Sequence, residues 1–344
     1  MIEASWSLQV DLGDPDELVF LLNRRGILER KLGHFAEARS RHEDGLALAR
    51  AQGSPRRVAD SHNNLATIDY YMGNFREARE GYQAALDLFR QLSDEQQAGR
   101  CLINLANLAD GSGDLDEAGH LYQESLTTAD AIGDRWGVAA AINNLGNVAL
   151  AREEYREARR LYAESLAIKR ELGHQEGIAA SLDNLGRAAF GLNELAEAKR
   201  MRQASLSLRR EIQDQWGMAN SLSGLGEIAV AQGDYVEAEE RLRQALQLAS
   251  EIGVPLLIES GVVGWAEKLW KQGEMQASLE MAAVVVSTPA KDKLTRARAV
   301  RIREGITAAL PLAVVRAAET RAAHQNMEGL VQAILKRNPD PNSV

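Results

Sequence analysis

A single cysteine, Cys101, stands among 344 residues. That excludes an intramolecular disulfide and any multi-cysteine metal site, and it fits a reducing compartment, so the cytoplasm is the expected location. Aromatic residues make up only 5% of a chain that is 45% hydrophobic. A core must then be built from Ala and Leu, which lose little entropy in a helix and let helices approach closely, and a β-rich fold is disfavoured. No apolar run reaches the roughly 18 residues needed to span a bilayer, and the first twelve residues lack the basic-then-apolar order of a signal peptide. No membrane partner is expected. Positive charge is also in deficit. A formal net charge of -9 repels a phosphate backbone, so no direct nucleic-acid partner is expected either.

Catalytic patterns are missing as well. The six histidines, His34, His42, His62, His120, His174 and His324, never pair at metal-ligand spacing, and most read as turn or helix-exterior residues. Neither a His-Glu-x-x-His run nor a nucleophile elbow occurs. Asp110-Gly111-Ser112-Gly113-Asp114 has the glycines of a phosphate or calcium loop but neither the P-loop lysine nor the twelfth-position glutamate of an EF-hand. The reading is therefore no catalytic residue, no metal, no cofactor and no enzyme.

What the chain has in abundance is a repeat. Gly33, Gly73, Gly113, Gly233 and Gly273 share one spacing, with Glu153 and Asn193 at the two intermediate places. Two residues on come Phe35, Phe75, Leu115, Tyr155, Leu195, Tyr235 and Met275, and three further on Ala38, Ala78, Ala118, Ala158, Ala198, Ala238 and Ser278. A second series, Gly26, Ala66, Ala106, Gly146, Gly186, Gly226 and Ala266, keeps the same interval, and Leu65, Leu105, Leu145, Leu185 and Leu225 precede members of it. Apolar residues at helical spacing with a small residue for close contact define a first helix, and glycine ends it in a left-handed turn. Asn74, Asp114 or Asp234 then caps a second helix, with Glu77, Glu117 or Glu237 placed to complete a capping box. That helix ends near Gly53, Ser93, Gly133, Gly173, Gln213 or Gly253, and Ser54 with Pro55, Asp134 or Asp214 starts the next hairpin.

These residues resemble the tetratricopeptide repeat (TPR), with a small residue at its eighth position, glycine in the turn, alanine at the twentieth and an aromatic at the twenty-fourth. The usual period is about 34 residues. The longer interval here and the missing helix-ending proline are similar to the branch found in kinesin light chains, spindle-orientation adaptors and the C-terminal TPR arms of bacterial signal-transduction ATPase regulators. The resemblance implies an all-α, right-handed superhelical solenoid of antiparallel helix hairpins.

The expected organisation is a remnant second helix at 1–12, seven hairpins at 13–290, capping helices at 291–337 and a disordered tail at 338–344. Ala4-Ser5-Trp6-Ser7-Leu8 aligns with Ala204-Ser205-Leu206-Ser207-Leu208, so the chain is expected to open in mid-repeat as part of something longer. After Ser287-Thr288-Pro289, helical patterns run from Leu294 to Leu310 and from Pro311 to Lys336.

In TPR proteins the first helix lines the concave face, so its non-core positions are the candidate contacts. One row is Arg24, Asn64, Asn104, Asn144 and Asn184. One turn further along lie Thr67, Asn107, Asn147 and Arg187, followed by Glu227 and Glu267. Tyr70, Tyr71, Arg100, Asn143, Asp183 and Phe190 are placed beside them. Asparagine is a mediocre helix former whose amide both donates and accepts, which suits a clamp on an extended peptide backbone. The amides could equally bridge neighbouring helices. Where family members grip a C-terminal carboxylate with lysine, this chain has Asn63, Ile103, Asn143 and Asp183, so a chaperone-tail clamp is not expected. Trp136 and Trp216, at first-helix starts, read as staples of their turns. Arg156, Arg159 and Arg160 interleaved with Glu153, Glu154 and Glu157 read as a solvated convex face. The expected function is a non-catalytic scaffold binding a protein or an extended peptide. The alternative is a ligand-sensing arm attached to upstream regulatory domains, either a signal-transduction ATPase or a transcription regulator.

Overall fold

The structure is a computed structural model that describes residues 15–31, 34–288 and 293–336. Among them every regular element is helical. Helices pair in order: α1 (Pro15–Lys31) with α2 (Phe35–Ala51), α3 (Pro55–Met72) with α4 (Phe75–Gln91), α5 (Glu95–Ser112) with α6 (Leu115–Ala131) and α7 (Arg135–Ala151) with α8 (Tyr155–Glu171). The series continues with α9 (Gln175–Gly191) and α10 (Leu195–Glu211), α11 (Gln215–Gln232) and α12 (Tyr235–Glu251), and α13 (Pro255–Lys271) and α14 (Met275–Ser287). Three more follow, α15 (Lys293–Ala309), α16 (Leu312–Ala323) and α17 (Met327–Lys336). This is the all-α solenoid of TPR-type hairpins read from the sequence. The expected remnant at 1–12, Gly33, Pro289 and the tail at 338–344 lie outside the described residues. The chain divides into two compact units, 1–168 and 169–344, each treated by itself below.

The turns show why the repeat is written as it is. Gly113 sits at φ 90°, and Glu153 and Asn193, in the same slot, are both held at φ 60°. The left-handed conformation is therefore imposed by the turn even where a side chain opposes it. After each such residue the next N–H reaches back to the helix just ended: Asp114 N donates to the Ala109 carbonyl at 2.9 Å, and Asp234 N to Ala229 at 3.0 Å. That bond corrects the expected capping box. Asp114 and Asp234 do cap, accepting from the Glu117 and Glu237 amides, both at 3.0 Å. Their own N–H groups are already spent, however, so the two glutamates reach sideways instead. Glu117 takes a bidentate pair from Arg79 at 2.5 and 2.8 Å, and Glu237 takes Lys199 at 2.5 Å, each tying consecutive second helices together. Asn74 does not cap: its amide turns back to Asp69 at 3.1 Å, which also receives Arg39. Ser54 makes no cap bond, and Pro55 sets that helix start. Asp134 and Asp214 cap as read, each at 2.9 Å.

In the first unit, the turn-side alanines Ala38, Ala78, Ala118 and Ala158 are fully buried. Ser125 and Ser165 bond the carbonyls of Gly99 and Ala139 at 3.1 and 2.8 Å, sewing each hairpin shut across its small-residue seam. His42 departs from the exterior reading of the histidines. It is 1% exposed, its Nδ1 lies 2.9 Å from Asn23 Oδ1, and its ring fills the space left by Gly26. Burial, helped by Arg30, pushes its pKa down to about 4. Unfolding therefore takes up a proton between the unfolded value near 6.5 and about 4. His42 should contribute full stability above pH 6.5 and lose up to about 3 kcal/mol as the pH falls through that window. Thermal melts between pH 7 and 4 should show that loss in the wild type and a flatter profile in His42→Phe; parallel profiles would refute it.

In the second unit, α15, α16 and α17 join the core of the last hairpin. Ala299, Ile302, Ile306, Val315, Leu330, Val331 and Ile334 pack in one cluster with Trp265, Leu269 and Leu279. The stretch expected as one helix from Pro311 to Lys336 is two, because Asn326 Oδ1 accepts the Gly329 amide at 2.8 Å and starts a new helix.

Candidate ligand-binding face

The first helices of the first unit carry both polar rows on one face. Arg24 and Arg100 are exposed, whereas Asn64, Thr67, Tyr70, Asn104, Asn107, Asn143, Asn144 and Asn147 are half-buried. Arg24 lies over the ring of Phe20, 5.5 Å from its centroid. Tyr70 meets Tyr71 and Phe75 edge-on at 5.7 and 6.1 Å, and burial raises its pKa.

The amides are partly committed to the scaffold. Asn104 Nδ2 donates to Asn63 Oδ1 at 3.0 Å, a bridge between neighbouring first helices, and Asn147 Nδ2 reaches Asn144 Oδ1 at 3.5 Å. In the second row each acceptor is held from beneath by a tyrosine of its own hairpin. Tyr82 donates to Thr67 at 3.1 Å, Tyr122 to Asn107 at 2.6 Å and Tyr162 to Asn147 at 2.9 Å. All three rings are buried, and burial pushes Tyr82 up to about 12 and Tyr122 higher, so those two phenols remain protonated donors. The sequence reading missed these tyrosines as partners of the face. The available signal was that they share its interval, always fifteen residues beyond the acceptor.

In the second unit Asn184 and Arg187 are half-buried, but Asp183 does not belong with them. It is 2% exposed and enclosed by Arg202, Arg209 and Ser221. The charge of the buried carboxylate is met by buried arginines, which stand where the first unit has Phe89 and the tyrosines. Further along, Glu227 and Glu267 receive Arg298 of α15 at 2.5 and 2.7 Å. Arg298, from the first helix after the last hairpin, thus occupies that end of the row. Trp136 and Trp216 remain 44% and 47% exposed, more open than the turn staples expected, because they sit at the outer ends of their helices.

A cleft of about 420 Å³ opens elsewhere in the first unit, between α6, α7 and α8, lined among others by His120, Leu145, Val148, Arg152 and Leu161. It contains none of the row residues. It is the crevice between successive hairpins, and Arg152 spans it to Asp116. Among the described residues no three His, Cys, Asp or Glu side chains gather as a metal site, and no helix is long and apolar enough to cross a membrane.

Comparison with curated proteins finds no sequence match. Several solved structures share the fold. A Rap protein complexed with competence and sporulation factor is 13% identical, with a TM-score of 0.64 over 94% of this chain and 92% of that one. The apo quorum sensor NprR of B. thuringiensis is 18% identical, with a TM-score of 0.63 over 79% and 76%. A Rap conjugation gene regulator of the plasmid pLS20, in complex with the Phr* peptide, is 17% identical, with a TM-score of 0.60 over 84% and 74%. Family models described as tetratricopeptide repeat match residues 57–131, 137–211 and 221–255, together more than half of the chain. With the hairpins, the left-handed turns and the small-residue seams in place, the chain belongs to the tetratricopeptide repeat family.

Proposed function

We propose that the first-helix face of the first unit is a groove that binds an extended peptide or protein segment and performs no chemistry on it. The observation that carries this reading is the half-committed amide. Asn104, Asn107 and Asn144 each use one polar atom in a scaffold bond, while the other, respectively Oδ1, Nδ2 and Nδ2, has no partner among the described residues. An extended main chain offers alternating N–H and C=O groups about 3.4 Å per residue apart, the complement of such a surface. Bridging and ligand contact, opposed in the sequence reading, are then two ends of one side chain. Asn64, Thr67, Tyr70, Asn143 and Asn147 line the same face, and Arg24 and Arg100 add exposed cations to it.

The test is binding of the full chain to an array of random-sequence decapeptides. The wild type should label a reproducible subset, and Asn104→Ala with Asn144→Ala should lose about tenfold or more in signal while keeping its helical circular dichroism. An unlabelled array, or an unaffected double variant, would reject the groove. The sensor-arm reading draws on the structural relatives: one is named a quorum sensor and another a gene regulator in complex with a peptide. On that reading Asn184 and Arg187 are contact positions of the second unit taken by itself. It gains support if a bound decapeptide alters the activity of regulatory domains joined to this chain.

A further inference from the structure

The buried tyrosines of the first unit have a consequence for what the face can recognise. An asparagine amide presents oxygen or nitrogen depending on which way it is turned, and the two orientations are nearly equal in shape. On a free surface it would sample both. Here a phenol, a better donor than acceptor, comes from the hairpin core and selects the oxygen: Tyr122 at 2.6 Å from Asn107 Oδ1, and Tyr162 at 2.9 Å from Asn147 Oδ1. Asn107 is thereby left with its nitrogen outward. Asn147, its oxygen taken, turns its nitrogen to Asn144 Oδ1, and Asn144 then presents Nδ2. Opposite in sense, Asn104 spends its nitrogen on Asn63 and presents oxygen.

We infer that Tyr122 and Tyr162 are positioning residues for ligand recognition, each fixing the donor sense of a groove asparagine so that the face reads peptide main chain in one direction. This rests on the peptide reading above. The device stops where its parts stop. At the corresponding places of the second unit stand Arg202 with Arg187 and Leu242 with Glu227, and leucine has no hydroxyl to give. The directional reading belongs to the hairpins α5/α6 and α7/α8. Because a polypeptide reversed in the groove would present carbonyls to the two outward nitrogens at the wrong register, the locked amides select polarity as well as main chain. Freely turning amides would accept either direction.

Tyr122→Phe removes one oxygen and leaves the buried ring, so the fold is retained; Tyr162→Phe repeats the experiment one hairpin on should the first variant misfold. On the decapeptide array, each variant should lose about fivefold in signal across the wild-type positive set whatever the side chains, because main chain is what is read. Tyr122→Phe combined with Asn107→Ala should be no weaker than Asn107→Ala alone, since both act through one interaction. Retro-sequence copies of the positive peptides regain the original side-chain order only when their main chain runs the other way, so the wild type should discriminate against them and Tyr122→Phe less so. In the protein alone, the Nδ2 proton resonances of Asn107 should change their nuclear Overhauser contacts in Tyr122→Phe. A wild-type array without label removes the peptide reading and this inference with it. A labelled array that Tyr122→Phe and Tyr162→Phe leave unchanged, with retro-sequence discrimination intact, removes this inference alone and reduces the hydroxyls to satisfied core groups.

Discussion

Replacing Asp183 by alanine should cost the second unit about 3 to 5 kcal/mol, enough to melt most of a domain of ordinary stability. The carboxylate is 2% exposed and faces Arg209 at 2.7 Å, Arg202 at 3.4 Å and Ser221 at 2.9 Å. Both arginines are themselves nearly buried, Arg202 at 7% and Arg209 at 5% exposure. Arginine cannot shed its proton at any working pH, so removing the anion leaves two fixed charges in the core. Arg209 has little room to escape: it lies against Gly217 where a β-carbon would stand, and its other nitrogen is on Asp214 at 2.5 Å. Asp183→Asn keeps the shape but not the charge and should also destabilise, by less. Urea unfolding followed by tryptophan fluorescence, with Trp216, Trp265 and Trp270 in this unit, measures the loss. Replacing Asp183, Arg202 and Arg209 together by Leu and Met should recover much of it, because a buried ion group is often no better than the apolar packing that replaces it. A wild-type midpoint for Asp183→Ala would mean that water reaches the cluster.

That cluster also marks where the sequence could be read and where it could not. Period, turn and seam follow from local rules: a left-handed turn wants glycine, and a close helix contact wants alanine. The fold was therefore legible from Gly113 and Ala118 and their equivalents. The same rules placed Asp183 on the open face, since it shares a register position with Asn63 and Asn143, both half-buried. Its burial depends on Arg209, which stands where other hairpins have Phe89 or Ala129, and no single-helix pattern reveals a partner 26 residues away. Asn74 shows a similar limit at short range, since an amide able to cap bonds Asp69 instead once Arg39 has drawn that carboxylate into place. The candidate face was legible as two polar rows, but their division of labour was not. Asn107 looked like a free contact until Tyr122, on the facing helix, was seen to hold one end of it.

Trp265→Ala should be the other large loss, about 3 to 5 kcal/mol in the second unit. The residue continues the row Leu65, Leu105, Leu145, Leu185 and Leu225, yet it alone in that row must face an additional layer of helices. It is fully buried in the cluster that contains Ile302, Ile306 and Ile334. Its ring lies beneath Lys268 at 4.9 Å and Arg243 at 5.5 Å, both of which pair with Glu239. Arg243 in turn donates to the Ile334 and Leu335 carbonyls at 2.9 and 3.2 Å, so the indole, the cations and the end of α17 form one assembly. Restoring the row with Trp265→Leu should therefore harm the protein. The leucine leaves a cavity and removes the π-face from a buried Lys268 and a half-buried Arg243, for a loss of about 2 kcal/mol or more. Limited proteolysis should then cut first within 293–336, before the hairpins are touched. If Trp265→Leu melts with the wild type and resists protease equally, the last helices do not rest on the indole, and their anchorage falls to Arg298 on Glu227 and Glu267 instead.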